Sequence, residues 1–175
     1  MSGMDAISSV LRNYLQPAAA RVDTAAHFDQ VAAAVPVGTL SQGITAAFES
    51  SETPPFHDML SQLFTSSDPA QRAAMLSTLL NAIPADQRAA VAATLGVGNA
   101  VSGTVGSVAP SVTSQQAQQV APSDVAQAAQ QAAANTPSIV AQMGSFYAQH
   151  PTLVKTLGSL AMMVAMRKIA RHYPT

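Results

Sequence analysis

One apolar spacing recurs along this chain and leaves little freedom in what it can fold into. Phe56, Met59, Leu60, Leu63 and Phe64 fall at i, i+3, i+4, i+7 and i+8, and Ile7, Val10, Leu11, Tyr14 and Leu15 repeat the pattern. Ile139, Val140, Met143, Phe146 and Tyr147 repeat it again with one step shifted. Residues three and four apart share a side of a 3.6-residue turn, so each stripe predicts a short amphipathic helix with one face turned to a core. A half-buried strand would alternate apolar with polar residues, and no segment does. Alanine and glutamine abound, while charged residues make up only 10% and aromatics 5%, a mixture that favours helix over strand. The expected fold is all-α, a multi-helix bundle of short amphipathic helices in two halves, and 175 residues suffice for one domain or two small ones with a buried core.

Prolines and capping side chains mark the boundaries. Asp68-Pro69 and Thr136-Pro137 each set a capping side chain before a proline at the first helical position, where its missing N–H costs nothing. Thr24, Thr39, Asp86 and Thr113 are further candidate caps. These signals predict helices near 4–16, 24–34, 39–50, 55–65, 69–82, 86–95, 114–120, 123–134, 137–149 and 151–171. The segment GVGNAVSGTVGSVAPSV, 96–112, breaks the helical pattern. Its glycines have neither the preceding strand and close third glycine of a dinucleotide fingerprint nor the lysine of a P-loop. It reads as a Gly/Val/Ser-rich linker between an N-terminal helical half, 1–95, and a C-terminal helical half, 113–175. Within the first half, QRAAMLSTLL from Gln71 is echoed by QRAAVAATLG from Gln87, sixteen residues on. A duplicated binding helix would produce such an echo, and so would two neighbouring alanine-rich helices under the same packing constraints; the second reading is adopted.

Several function classes are disfavoured. The net charge of −1 conceals an asymmetry: residues 1–95 carry four arginines against eight acids, a balance of −4, and residues 96–175 carry four bases against Asp124 alone, a balance of +3. Neither half has the basic excess or the aromatic-plus-Arg/Lys clusters that grip a nucleic acid, so no DNA or RNA partner is expected. Cysteine is absent, which removes disulfides, thiolate nucleophiles and Cys-based zinc sites. The N-terminus lacks the basic start and continuous apolar core of a signal peptide, and a cytoplasmic location is expected. His27, His57, His150 and His172 are dispersed, with no i, i+4 pair to hold a metal on one helical face. The densest ionisable cluster is Glu49, Glu52, His57 and Asp58. Such groups can ligate a cation or move protons, yet Glu52 precedes a Pro-Pro turn and Asp58 falls in a first helical turn, where the helix dipole favours an acid. No Gly-x-Ser-x-Gly elbow is present. No catalytic, cofactor-binding or metal-binding residue is assigned, no cofactor is expected, and the protein is read as a non-enzyme.

The C-terminal stretch, Phe146 to Tyr173, is the most apolar. Read as one helix from Pro151 to Arg171, it sets Leu153, Leu157, Leu160 and Val164 in a narrow stripe that Val154, Ala161, Ala165 and Ile169 widen, with Met162, Met163 and Met166 spread over the other sides. Its uncharged run, Thr156 to Met166, is eleven residues, or roughly 16 Å of helix against a hydrocarbon core of about 30 Å, so it cannot span a bilayer. Packing inside the protein is the expectation. Lying in a membrane surface is the alternative, with Arg167, Lys168 and Arg171 on anionic head groups and the methionines beneath them. The same three bases also complement the carbonyl end of a helix.

Three segments, HFDQVAAAVPVGTLSQGITAAF, TPPFHDMLSQLFTSSDPAQRAAMLSTLL and SFYAQHPTLVKTLG, together with TSQQAQQVAPSDVAQAA from Thr113, resemble a group of uncharacterised small, alanine- and glutamine-rich helical bacterial proteins that are distantly similar to YidB-like proteins. The resemblance covers about two-thirds of the chain and implies a soluble, helical bacterial protein without implying an activity. The combined expectation is a non-enzymatic interaction or structural protein with an unidentified protein partner, its contact surface being Met162, Met163, Met166, Arg167, Lys168 and Arg171. The alternative is peripheral membrane or apolar-ligand binding through the Met-rich C-terminal helix.

Overall fold

The structure is a computed structural model that describes residues 3–16, 23–98 and 111–172, with side chains from Asp5 onward in the first stretch. Among these residues the chain forms eleven α-helices and no strand, the expected all-α bundle. In chain order they are α1 (Gly3–Tyr14), α2 (Thr24–Ala34), α3 (Val37–Glu49), α4 (Phe56–Ser66), α5 (Pro69–Ala82), α6 (Ala85–Thr94), α7 (Ser114–Gln119), α8 (Pro122–Asn135), α9 (Ile139–Ala148), α10 (Pro151–Val154) and α11 (Ser159–His172), with a 3-10 turn, Lys155–Leu157, before the last. They gather into two compact units, one made of 1–54 and 144–175, the other of 55–143.

These units do not follow the expected halves, 1–95 and 113–175. The first joins the beginning of the chain to its end, because the stripes of α1 to α3 find their apolar partner in α11 rather than in the helices that follow them. The division falls within α9, between Met143 and Gly144. Of the expected linker, 96–112, residues 99–110 lie outside the described residues.

In the unit of residues 55–143, α4 packs on α8, α7 on α5, and α6 on α5 and α8. The predicted stripe of α4 is buried throughout, with Met59, Leu60, Leu63 and Phe64 wholly enclosed. It faces a helix whose buried positions are Val125, Ala128, Ala129 and Ala132, so large side chains meet small ones. Each such Leu, Met or Phe removed from water contributes about 1.5–3 kcal/mol.

The echoed sequence acquires a local explanation here. Arg72, near the start of α5, donates from Nε to the carbonyls of Phe64 (2.9 Å) and Ser67 (3.0 Å) and from Nη2 to that of Thr65 (3.0 Å), with its guanidinium 4.9 Å from the Phe64 ring centre. Arg88, sixteen residues later, donates from Nε to Leu80 O (2.9 Å) and from Nη2 to Ile83 O (3.1 Å). A helix end leaves four carbonyls without intrahelical partners, and in both copies the arginine of the next helix reaches back to supply donors. The repeat thus encodes a helix-to-helix corner.

Caps follow the sequence in part. Asp68 with Gln71 and Thr113 with Gln116 form reciprocal capping boxes. α2 is capped by Asp23, which accepts from the Ala26 N–H at 3.2 Å, rather than by Thr24. Thr39 and Asp86 lie inside the first turns of helices whose N-caps are Pro36 and Pro84. Thr136 ends α8 instead of opening α9, its N–H bonded to Ala132 O at 2.7 Å.

In the unit of residues 1–54 and 144–175, α11 packs on α3 most extensively and also on α1 and α2. Gly43 permits that approach: a Cβ built there would sit 2.7 Å from Ile169 Cγ1 and 2.9 Å from the backbone oxygen of Ala165. Gly144 serves the same purpose where α9 meets α3, since a Cβ would collide with Thr45 Oγ1. Beside it the Ser41 and Ser145 hydroxyls lie 2.9 Å apart.

The expected single helix over 151–171 is corrected. Thr156 Oγ1 donates to Leu153 O at 2.6 Å, the chain tightens into a 3-10 turn, and Gly158 adopts φ 90°, ψ 170°, a conformation that side chains with a Cβ avoid. α11 therefore restarts in a new register. The expected stripe breaks: Leu153 and Leu157 are buried, Val164 is half-buried and Leu160 is 56% exposed. The buried face of α11 keeps Ala161, Ala165 and Ile169 from the expected stripe and adds Met162, Met166 and Ala170.

Candidate functional site

The register of α11 decides which of the sequence-predicted contact residues face outward. Met162 and Met166 do not: at 4% and 0% exposure they belong to the core. Met163 is half-buried and its sulfur accepts a contact from Arg167 Nη2 at 3.4 Å. Arg167 and Lys168 are half-buried, and Arg171 is exposed. Of the six expected contact residues, the three bases and Met163 are at least partly exposed, and Met162 and Met166 are not.

Two open clefts border these bases. One, of about 290 Å³, is lined by Ala46, Ser50, Glu52 and Val164 together with Arg167, Lys168 and Arg171. The other, of about 270 Å³, is lined by Tyr14, Leu15 and Gln16 with Arg167 and Arg171. Both arginines therefore border both clefts. Leu15, in the second, is one of the few large apolar side chains left outside, at 51% exposure.

The acidic contribution comes from the turn after α3. Thr53 is buried, and its hydroxyl donates to Ala47 O at 2.5 Å and Ser50 O at 3.0 Å, which fixes the turn; the Glu52 N–H donates to Ser50 Oγ at 3.1 Å. Glu52 Oε2 then accepts from Arg167 Nη1 at 3.1 Å. With the Glu52 side chain 60% exposed, a pair of this kind contributes only about 0.2–1 kcal/mol. Among the described residues, Lys168 and Arg171 have no carboxylate partner. Arg167 and Arg171 stand four residues apart on one helix, where like charges repel by a few tenths of a kcal/mol. An incoming anion would relieve that repulsion.

The other ionisable groups form no candidate metal site among the described residues. Glu49 and Glu52 fall in one compact unit and His57 and Asp58 in the other; His57 Nε2 lies 3.7 Å from Asp58 Oδ1. His27 Nδ1 pairs with the Tyr14 hydroxyl at 3.1 Å, His150 lies against Phe146 with ring centres 4.9 Å apart, and His172 Nδ1 is 3.0 Å from Lys168 O. Burial raises the Tyr14 hydroxyl above the usual tyrosine value, a hydrogen bond with Thr24 opposing and the Asp23 charge reinforcing the rise. Burial alone pushes Tyr147 far higher.

Sequence reasoning identified the three bases but missed Leu15, Ala46, Ser50 and Glu52 as their neighbours. Glu52 and Arg167 are 115 residues apart, and no local pattern couples them. No helix among the described residues is long and apolar enough to cross a membrane. Compared with models of protein families, with curated proteins and with solved structures, the chain matches none.

Proposed function

We propose that this is a non-enzymatic interaction protein that engages a partner protein through the outward face of α11. The observation that carries the reading is the convergence of Arg167, Lys168 and Arg171 on one cleft that holds a single acid, Glu52. Charges gathered this way, two of them without a described carboxylate, favour an acidic partner and steer its approach. The reading takes the protein to be bacterial and cytoplasmic, in keeping with its likeness to the small alanine- and glutamine-rich proteins.

Contact with a membrane or an apolar ligand through the methionines is less well supported, since Met162 and Met166 are enclosed and cannot dip beneath head groups. The test uses a fluorescently labelled oligoglutamate peptide at low ionic strength. Saturable binding that salt weakens and that Lys168→Glu with Arg171→Glu abolishes is expected. Equal binding by the double variant refutes the reading. Co-sedimentation with phosphatidylglycerol vesicles, in the absence of peptide binding, would replace it with the membrane reading.

A further inference from the structure

We infer that the ligand of the two clefts is an acidic peptide segment bearing a large apolar side chain, and that it binds by taking the place of Glu52 on Arg167. This rests on the reading above and specifies what the partner presents. Glu52 Oε2, 3.1 Å from Arg167 Nη1, is the chain's own carboxylate on one of the two arginines that border both clefts. It is held there by an exposed pair on a turn that Thr53 fixes from below, so it can yield its place without the turn unfolding. The carboxylate that replaces it gains a guanidinium already positioned by Met163 Sδ, and a neighbouring acid meets Arg171 or Lys168, which no described carboxylate pairs.

The clefts also specify size and polarity. At about 290 and 270 Å³, both sit at the small end of the roughly 300–1,000 Å³ typical of ligand sites and are open rather than enclosed, so each suits one or two side chains of a longer chain. The cleft beside α1 offers the exposed Leu15 next to the two arginines, a place for a leucine or phenylalanine adjacent to a carboxylate. A lipid surface would need a broad apolar face beside the bases, and α11 has turned that face inward.

Glu52 is then an internal competitor whose removal exposes Arg167. Two labelled peptides serve as probes, one of glutamates alone and one of glutamates interrupted by leucine, titrated into the intact protein. Glu52→Gln is expected to tighten binding of both by up to about five-fold, the full worth of an exposed ion pair. The leucine-containing peptide is expected to bind more tightly than the other, an advantage that Leu15→Gln removes. Unchanged affinity in Glu52→Gln, while Lys168→Glu with Arg171→Glu still abolishes binding, overturns this inference and leaves the interaction surface standing. Displacement of either peptide by inorganic phosphate at matched ionic strength would equally overturn it, since the clefts would then hold any anion. Absence of binding by both peptides defeats the inference together with the reading beneath it.

Discussion

Replacing Gly43 with alanine tests the close crossing of α3 and α11. In an ordinary helix interior the change stabilises by about 0.5–1 kcal/mol, because alanine loses less backbone freedom on folding. Here the added Cβ would lie 2.7 Å from Ile169 Cγ1, 2.9 Å from Ile169 Cδ1 and 2.9 Å from the Ala165 carbonyl oxygen. The Ile169 side chain can shift, whereas the carbonyl moves only with its helix. Forcing an extra carbon into a packed core costs about 1–3 kcal/mol, and with backbone in the way the upper half of that range applies, for a net loss of about 1–2 kcal/mol. At Gly38, in the same helix, an added Cβ would meet no atom within 4 Å, so Gly38→Ala is expected to leave stability unchanged or raise it by up to about 0.5–1 kcal/mol. Urea unfolding followed by tyrosine fluorescence reads both changes. The protein has no tryptophan and three tyrosines, of which Tyr14 and Tyr147 are buried in the unit that contains the crossing. With a slope of about 2 kcal/mol per molar urea, Gly43→Ala should lower the midpoint by roughly 0.5–1 M. A Gly43→Ala protein as stable as Gly38→Ala would refute the crossing.

The other predictions concern the corner arginines, the buried tyrosine and the final helix. Arg72→Met keeps the side-chain stem over Phe64 but removes all three hydrogen bonds to the carbonyls at the end of α4, and should cost about 1–2 kcal/mol; circular dichroism during urea unfolding measures it, and an unchanged midpoint contradicts the capping role. Tyr147 titrates above its ordinary value of 10.0 because burial disfavours the phenolate. Above pH 10 the unfolded chain gives up this proton and the folded one retains it, so stability present below pH 10 falls by about 1.4 kcal/mol per pH unit. Tyr147→Phe should flatten that slope, and a native Tyr147 that ionises near pH 10 in a tyrosinate absorbance titration would disprove its enclosure. Met166→Ala should cost about 2–5 kcal/mol as a core deletion, whereas Leu160→Ala, at an exposed position, should stay within about 0.5 kcal/mol; thermal unfolding of the pair checks the register of α11, and a larger loss at Leu160 would reverse it.

Elements written in local spacing were legible. The stripe from Phe56 to Phe64 gave both the span and the buried face of α4, and Asp68-Pro69 located the start of α5, since periodicity and capping act over a few residues of one chain segment. The three bases of the candidate surface could likewise be read from α11 alone. The sequence pattern erred past the break at Gly158, where the run from Pro151 to Arg171 is interrupted: Leu160, placed on the stripe, is exposed, and Met162 and Met166, placed off it, are buried. Ala161, Ala165 and Ile169, on the wider part of the predicted stripe, are buried as expected, so the break shifts the centre of the apolar face rather than reversing it.

Local chemistry in the sequence determined that this protein is helical, where most helices begin and end, and which helix carries the surplus of base. Tertiary structure alone decided that the first 54 residues pack with the last 32, that Gly43 and Gly144 are crossing points, and that Glu52 lies on Arg167. Those facts depend on which apolar faces meet, and burial is non-directional: a stripe specifies that it must be covered, and only the shapes of the competing surfaces select its cover.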